Sequence, residues 1–456
     1  MHTPICDFVR RYAQEKPLRL HMPGHKGVAF SGAEPLDITE IDGADVLYHA
    51  EGIIRRSEEN AARLFGTART VYSAEGSSLA IRAMLCLALL DARERGRTPL
   101  ILAGRNAHKT FLTACALLDL PIRWIRGEEL LTCRITAESL KAELSALPEP
   151  PAALYLTTPD YLGNLIDLAP IARLCRERGI RLLVDNAHGA YLNFLPKSRH
   201  PIALGADACC DSAHKTLPVL TGGAYLHLSP HAPTAFIQQA DRAMSLFAST
   251  SPSYLILQSL DRANAYLADG YRERLAELCD RLAVLREHLK ERGYRLTGDE
   301  PLKVTLLPKP FGYTGQTLSD ILREQGIFCE FADPDHLVMM FTPELTQNEL
   351  HRVQTALLSV QRKAPITEKP PTFPKPTAVF TPRQALFAPS ERLPTERCEG
   401  RILADPQISC PPAVPIVACG ERIDAAAQST LTYYGITHCR VLKEPSEPFS
   451  RPCTDE

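Results

Sequence analysis

Six residues near the middle of the chain, Asp211-Ser212-Ala213-His214-Lys215-Thr216, set an amine beside two hydroxyls and an imidazole. They follow the apolar run Ile202 to Cys210 and precede Thr221-Gly222-Gly223. A lysine at such a junction can be desolvated, which lowers its pKa and leaves a neutral amine able to attack an aldehyde. Ser212 and His214 offer donors to a phosphate. Taken alone, the hexapeptide also fits a solvated lysine after a strand, the plainer and commoner case.

Three further clusters stand in similar positions. In Leu182-Leu183-Val184-Asp185-Asn186-Ala187-His188-Gly189, a carboxylate closes an apolar run. At the carboxyl end of a parallel strand, where open α/β sheets bind ligands, it can hold a pyridine nitrogen protonated; a turn aspartate before Gly189 is the alternative. Glu75-Gly76-Ser77-Ser78 opens a helix after a strand. There glycine admits close backbone approach, and the free amides and hydroxyls suit a phosphate or serve as a plain cap. Arg105-Asn106-Ala107-His108-Lys109-Thr110 again follows a strand. Its imidazole suits stacking on a flat ring, or a place in the core.

The elements that must position these residues follow from the patterning. Strands are expected at 70–73, 100–103, 153–157, 181–184, 206–210 and 223–228, with helices at 77–93, 107–117, 137–147 and 168–178. That alternation predicts a mostly parallel sheet sandwiched by helices. Each of the four clusters ends a strand of that sheet. The periodic stretch from about 253 to 292, broken only by Gly270, predicts one or two long helices. A smaller α+β domain should follow, with strands at 303–307 and 337–341 and helices at 317–325 and 347–360. The proline-dense run 364–377 reads as an extended linker. The expected divisions are an N-terminal segment (1–28), a large α/β domain (29–251), long helices with the small domain (252–362), the linker (363–377) and a C-terminal domain (378–456).

Composition removes several classes. The 456 residues are 45% hydrophobic and 23% charged, ordinary for a globular protein. A net charge of -2 argues against a nucleic-acid surface. The most apolar stretch, Ala83 to Leu90, is far too short to span a bilayer and reads as part of a core helix. The polar start, Met1 to Pro17, lacks the apolar centre of a secretory signal, so a cytoplasmic location is expected. The 14 cysteines include no CxxC pair and read as buried thiols; no metal is expected.

Nearly end to end, the chain resembles the fold-type-I pyridoxal-phosphate enzymes of the ornithine, lysine and arginine decarboxylase group. Besides the four clusters, the resemblance runs through Leu20-His21-Met22-Pro23-Gly24-His25-Lys26-Gly27, Asp37-Ile38-Thr39-Glu40, Ala61 to Gly66 and Thr158-Pro159-Asp160-Tyr161-Leu162-Gly163. It resumes after the linker at Phe387 to Glu391, Gly400 to Ala404, Pro411 to Pro415 and Gly420-Glu421. It implies a fold-type-I large domain binding pyridoxal 5′-phosphate, with Lys215 as the imine-forming lysine and Asp185 facing the pyridine nitrogen. It further implies His108 stacked on the ring and Ser77, Ser78, Ser212 and His214 on the phosphate. Gly76 would permit close approach, and Ala187 and His188 would lie beside the ring, His188 near the phenolic oxygen. A homodimer or larger homo-oligomer is expected.

The implied reaction is loss of the α-carboxylate of a basic amino acid, arginine or lysine first and ornithine next, giving carbon dioxide and a polyamine-type amine. His214 or His188 would return the proton. An aminotransferase or lyase remains the alternative, since the cofactor alone does not choose the bond. Against transamination, His336 to Phe341 lacks the arginine that similar aminotransferases use to clamp a carboxylate. Asn186 and Ala50 depart from the family pattern, where an acid and a proline are common, so a member that has lost catalysis is the remaining rival. For the substrate's cation, Glu40, Asp42 and Asp45 are the candidate partners, possible across a subunit boundary.

Overall fold

The computed structural model describes residues 1–125, 134–372, 374–406 and 414–444, with the backbone of 409–410. Its centre is a seven-stranded sheet. The strands are β1 (Arg69–Ser73), β2 (Ile101–Gly104), β3 (Ile122–Ile125), β4 (Ala153–Thr157), β5 (Arg181–Asp185), β6 (Ala208–Asp211) and β7 (Ala224–Leu228), in the spatial order β1-β7-β6-β5-β4-β2-β3. Only β7 runs antiparallel to its neighbours. Strands such as Ile101–Gly104 are buried on both faces, which is why they read as continuous apolar runs rather than alternating ones. The edge strand over 122–125 is not among the strands expected from the sequence, because its residues, Ile122-Arg123-Trp124-Ile125, are mostly only half buried.

Helices cover both faces. Gly76–Glu94 carries twelve buried residues, including the whole of Ala83 to Leu89, which accounts for its apolar composition. The helix expected from Ala107 begins instead at Lys109, because the His108 ring accepts the Thr110 amide and stops the helix there. The long periodic stretch forms two helices, Tyr254–Ala268 and Tyr271–Arg292, separated where Gly270 takes the left-handed conformation (φ 63°). The amino terminus is not merely polar chain: Pro4–Glu15 is a helix whose first amides, Ile5 and Cys6, donate to the buried Asp261 carboxylate.

A second sheet of four strands follows, β8 (Arg295–Thr297), β9 (Lys303–Leu307), β10 (Phe331–Ala332) and β11 (Leu337–Met340), ordered β10-β11-β9-β8. It packs with helices Gly315–Glu324 and Gln347–Ser359. Beyond the proline-rich stretch, Ser390–Pro394 pairs with His438–Leu442 around a small core of Leu403, Ile416, Ile423 and Leu431. Residues Pro411 to Ala413, part of the C-terminal resemblance, lie outside the described residues. The eleven cysteines among the described residues are free thiols, nine of them buried.

Candidate active site

The carboxyl ends of β5 and β6 and the turns after β1, β2 and β4 open on one cavity of about 690 Å³. All ten residues singled out from the sequence line it. Lys215 sits in a single helical turn, Ala213–Thr216, directly after β6, so its amine emerges at the strand end. Its Nζ lies 2.9 Å from Nε2 of His188, which follows β5. Burial pushes the Lys215 ammonium down, aided by the cation of Lys303 and opposed by Asp185. Burial lowers His188 well below the imidazole range, and the neighbouring Lys303 and Lys215 cations push the same way. Both shifts favour the uncharged forms of the amine and the imidazole.

Asp185 is 2% exposed. Its Oδ1 accepts from the Ala187 amide (3.2 Å) and its Oδ2 from the Tyr155 hydroxyl (3.2 Å). These bonds fix the carboxylate at the cavity floor. Ser212 donates to Ser77 (2.8 Å), bringing the turn after β6 onto the first turn of Gly76–Glu94. Ser78 lies 3.2 Å from the Thr110 hydroxyl, which also meets Nδ1 of His108 (2.9 Å). His214 donates Nδ1–H to the Gly223 carbonyl (2.9 Å), so it is anchored to the turn before β7. Gly76 needs its positive φ (70°) to turn sharply into the helix, and its amide donates to Gly222 (2.7 Å). Hydroxyls, helix-start amides and a glycine turn thus converge on one end of the cavity, the arrangement an anion requires.

Several wall residues escaped the sequence reading. Asn106 and Thr157 line the cavity, and Asn106 Oδ1, Thr157 Oγ1 and His188 Nδ1 are buried without a hydrogen-bond partner among the described residues. Buried polar atoms are rarely left so, and three in one cavity fit a polar, flat ligand. Thr157 stands opposite Asp185 in the β4–β5 register, a relation visible only once the strands are paired. Tyr161 packs edge-on against His188 (5.2 Å between rings) and against Phe331 from the small sheet (5.5 Å). Tyr434 and Ile436 of the C-terminal segment also face the cavity. Glu40, Asp42 and Asp45 do not line it; Asp45 is occupied with the Gly52 and Ile54 amides (2.8 and 3.0 Å), opening the helix Ile53–Phe65.

Beneath the site, Asp211 is wholly buried and accepts from His200 (3.0 Å) and, on its other oxygen, from Asn186 (2.7 Å), with Nε2 of His227 3.4 Å away as a charge neighbour. The departure at Asn186 therefore has a local reason. An amide there can donate to Asp211, whereas a second buried carboxylate would face the first.

A model of the Orn/Lys/Arg decarboxylase major domain matches residues 3–305. The Bacillus subtilis uncharacterized protein YaaO is 31% identical, over 93% of this chain and 92% of its own length. The arginine decarboxylase of the same organism is 30% identical, over 92% and 91%. Among solved structures, the lysine decarboxylase of Francisella novicida superposes with a TM-score of 0.77 at 16% identity, over 97% of this chain and 81% of that one. The constitutive lysine decarboxylase of E. coli gives 0.74 at 18%, over 97% and 82%. With the fold-type-I architecture matched across nearly the whole chain and the family model spanning most of it, this protein belongs to the Orn/Lys/Arg decarboxylase family and is an amino-acid decarboxylase.

Proposed function

We propose that the protein binds pyridoxal 5′-phosphate and removes the α-carboxylate of a basic amino acid, arginine or lysine before ornithine, working as a homodimer in the cytoplasm. The carrying observation is the meeting of the Lys215 amine, the Asp185 carboxylate and the Ser77–Ser212 pair in one cavity. Lys215 would hold the cofactor aldehyde, Asp185 its ring nitrogen, His108 its ring face, and Ser77, Ser78, Ser212, His214 and the Gly76 turn its phosphate. The bound cofactor supplies a protonated ring that accepts the electron pair left by departing carbon dioxide.

The chain's own groups do the rest. With its ammonium pushed down by burial, Lys215 can give and take protons, and His188 at 2.9 Å can exchange them with it. Asp185, fixed by the Ala187 amide and the Tyr155 hydroxyl, would present its carboxylate to the ring nitrogen. For the substrate's cation the observations favour Glu330 over the three N-terminal acids. Its Oε1 accepts the Tyr161 hydroxyl (2.7 Å), Tyr161 abuts His188, and the other carboxylate oxygen forms no bond among the described residues. Glu330 is exposed and lies outside the cavity's own lining, so a cation several bonds from the reacting carbon would meet its charge at the rim beside Tyr161. Support for the homodimer comes from the exposed Leu18, Leu20, Met22 and Phe30, four large apolar side chains close together along the chain that a second copy could cover. No described helix is long and apolar enough to cross a membrane.

Carboxyl-labelled arginine, lysine and ornithine, incubated with protein and added cofactor, test the reading. Labelled carbon dioxide from at least one of them is expected; keto-acid formation without labelled gas would refute decarboxylation.

A further inference from the structure

The helix Lys109–Leu118, which His108 caps, is gripped at both ends by the C-terminal segment. Before its start, Arg105 makes a two-pronged pair with Glu421: Nη1 to Oε1 and Nη2 to Oε2, both 2.6 Å. The two side chains are 4% and 3% exposed. Glu421 is itself fixed, since its Oε2 also accepts the Ala418 amide (2.7 Å). The Arg105 guanidinium lies 5.0 Å over the ring of Trp124 on the edge strand β3. At the helix's far end, Arg383 donates to the carbonyls of Ala116 (3.0 Å) and Leu117 (3.2 Å). Between these clamps, Asn106 and His108 face the cavity that Tyr434 and Ile436 help enclose.

Removing two charges from water is costly, and a buried pair is weak evidence for stability alone, since well-packed apolar residues often serve as well. A planar, bidentate pair does fix orientation, because two guanidinium N–H donors meet the two carboxylate oxygens in one geometry. We infer that Glu421, acting through Arg105, is a positioning residue for the catalytic centre: the C-terminal unit sets the placement of the Asn106–His108 wall and so the affinity for the cofactor. This rests on the cofactor reading above.

The test uses the full chain and its single tryptophan, Trp124. Glu421→Gln removes the negative charge that faces Arg105. A shifted Trp124 emission is expected in the cofactor-free protein, together with at least a tenfold rise in the dissociation constant for pyridoxal 5′-phosphate, followed by absorbance well below the melting temperature. Glu421→Asp, which keeps the charge, should recover part of that affinity. Should Glu421→Gln fail to fold, the double variant Arg105→Met/Glu421→Met removes both charges while filling the space, and the same loss of affinity is expected. A purely structural role would lower the melting temperature yet leave the folded protein's affinity unchanged. Affinity within twofold of wild type in the folded variant overturns the inference. Failure of the wild-type protein to bind the cofactor would instead overturn the underlying reading.

Discussion

Replacing Asp211 by Asn should unsettle the ground beneath the site. Burial alone would raise this carboxyl, but hydrogen bonds and charge from His200 and His227 win and hold it well below the usual carboxylate range. An asparagine offers one acceptor oxygen where the carboxylate serves His200, His227 and Asn186, and its amide would confront either the Asn186 amide or an imidazole donor. An orphaned buried donor costs about 1–3 kcal/mol, and a lost charge-assisted bond a further ~1.5–3 kcal/mol. Together these give about 3–5 kcal/mol, the range for breaking a buried ionic network. For a unit of this size that lowers the melting temperature by roughly 6 °C or more. Thermal denaturation of cofactor-free protein followed by circular dichroism would measure it. Asp211→Asn/Asn186→Asp, which restores a carboxylate and reverses the amide bond, should recover about half. Because the folded pKa is depressed, the wild-type advantage should be full above about pH 4 and shrink as pH falls below it. A single variant melting within about 1 °C of wild type at pH 7 would refute this account of the network.

Four other outcomes are expected. Borohydride treatment of cofactor-loaded protein should fix the cofactor on Lys215; peptide mapping to another lysine would displace Lys215 from its assigned place. Asp185→Asn should retain cofactor but lower kcat about a hundredfold or more, ~2.7 kcal/mol in barrier, and a near-normal rate would leave Asp185 a structural residue. His108→Ala should weaken cofactor binding, with unchanged affinity removing the ring from the site. Burial raises Glu58 to about 8 from a denatured value near 4.5. Its contribution to stability is therefore complete below pH 4.5 and lost as pH rises through about 8; Glu58→Gln should flatten that part of the stability profile, and an unchanged slope would rule Glu58 out as its source.

How much was legible in the sequence differs by element. The two-sided burial of β4 and β5 leaves an unbroken apolar signature, and a chemical residue at the end of such a run stands out, as Asp185 does. Lys215 and Ser212 share one short turn, so their proximity is written in their spacing. The edge strand β3 was silent, because half-burial erases the pattern a central strand must show. His108 was named from its motif, but its second duty as a helix cap, which moves the helix start by two residues, depends on a side chain turning back onto the Thr110 amide.

The sequence by itself determined the alternation of the central strands and helices, the family, and the short runs that bring an amine, a carboxylate, an imidazole and hydroxyls to strand ends, since each of these depends on residues close together along the chain. Tertiary structure alone decided which distant residues meet: Thr157 beside Asp185 across a strand pair, Glu330 on Tyr161 across 169 positions, Asp211 among His200, His227 and Asn186, and Glu421 on Arg105 across 316. A lone glutamate in a loop carries no periodicity and no neighbour that marks it. What gives it a role is the partner charge that folding buries against it, and burial is a property of the packed chain rather than of the residue.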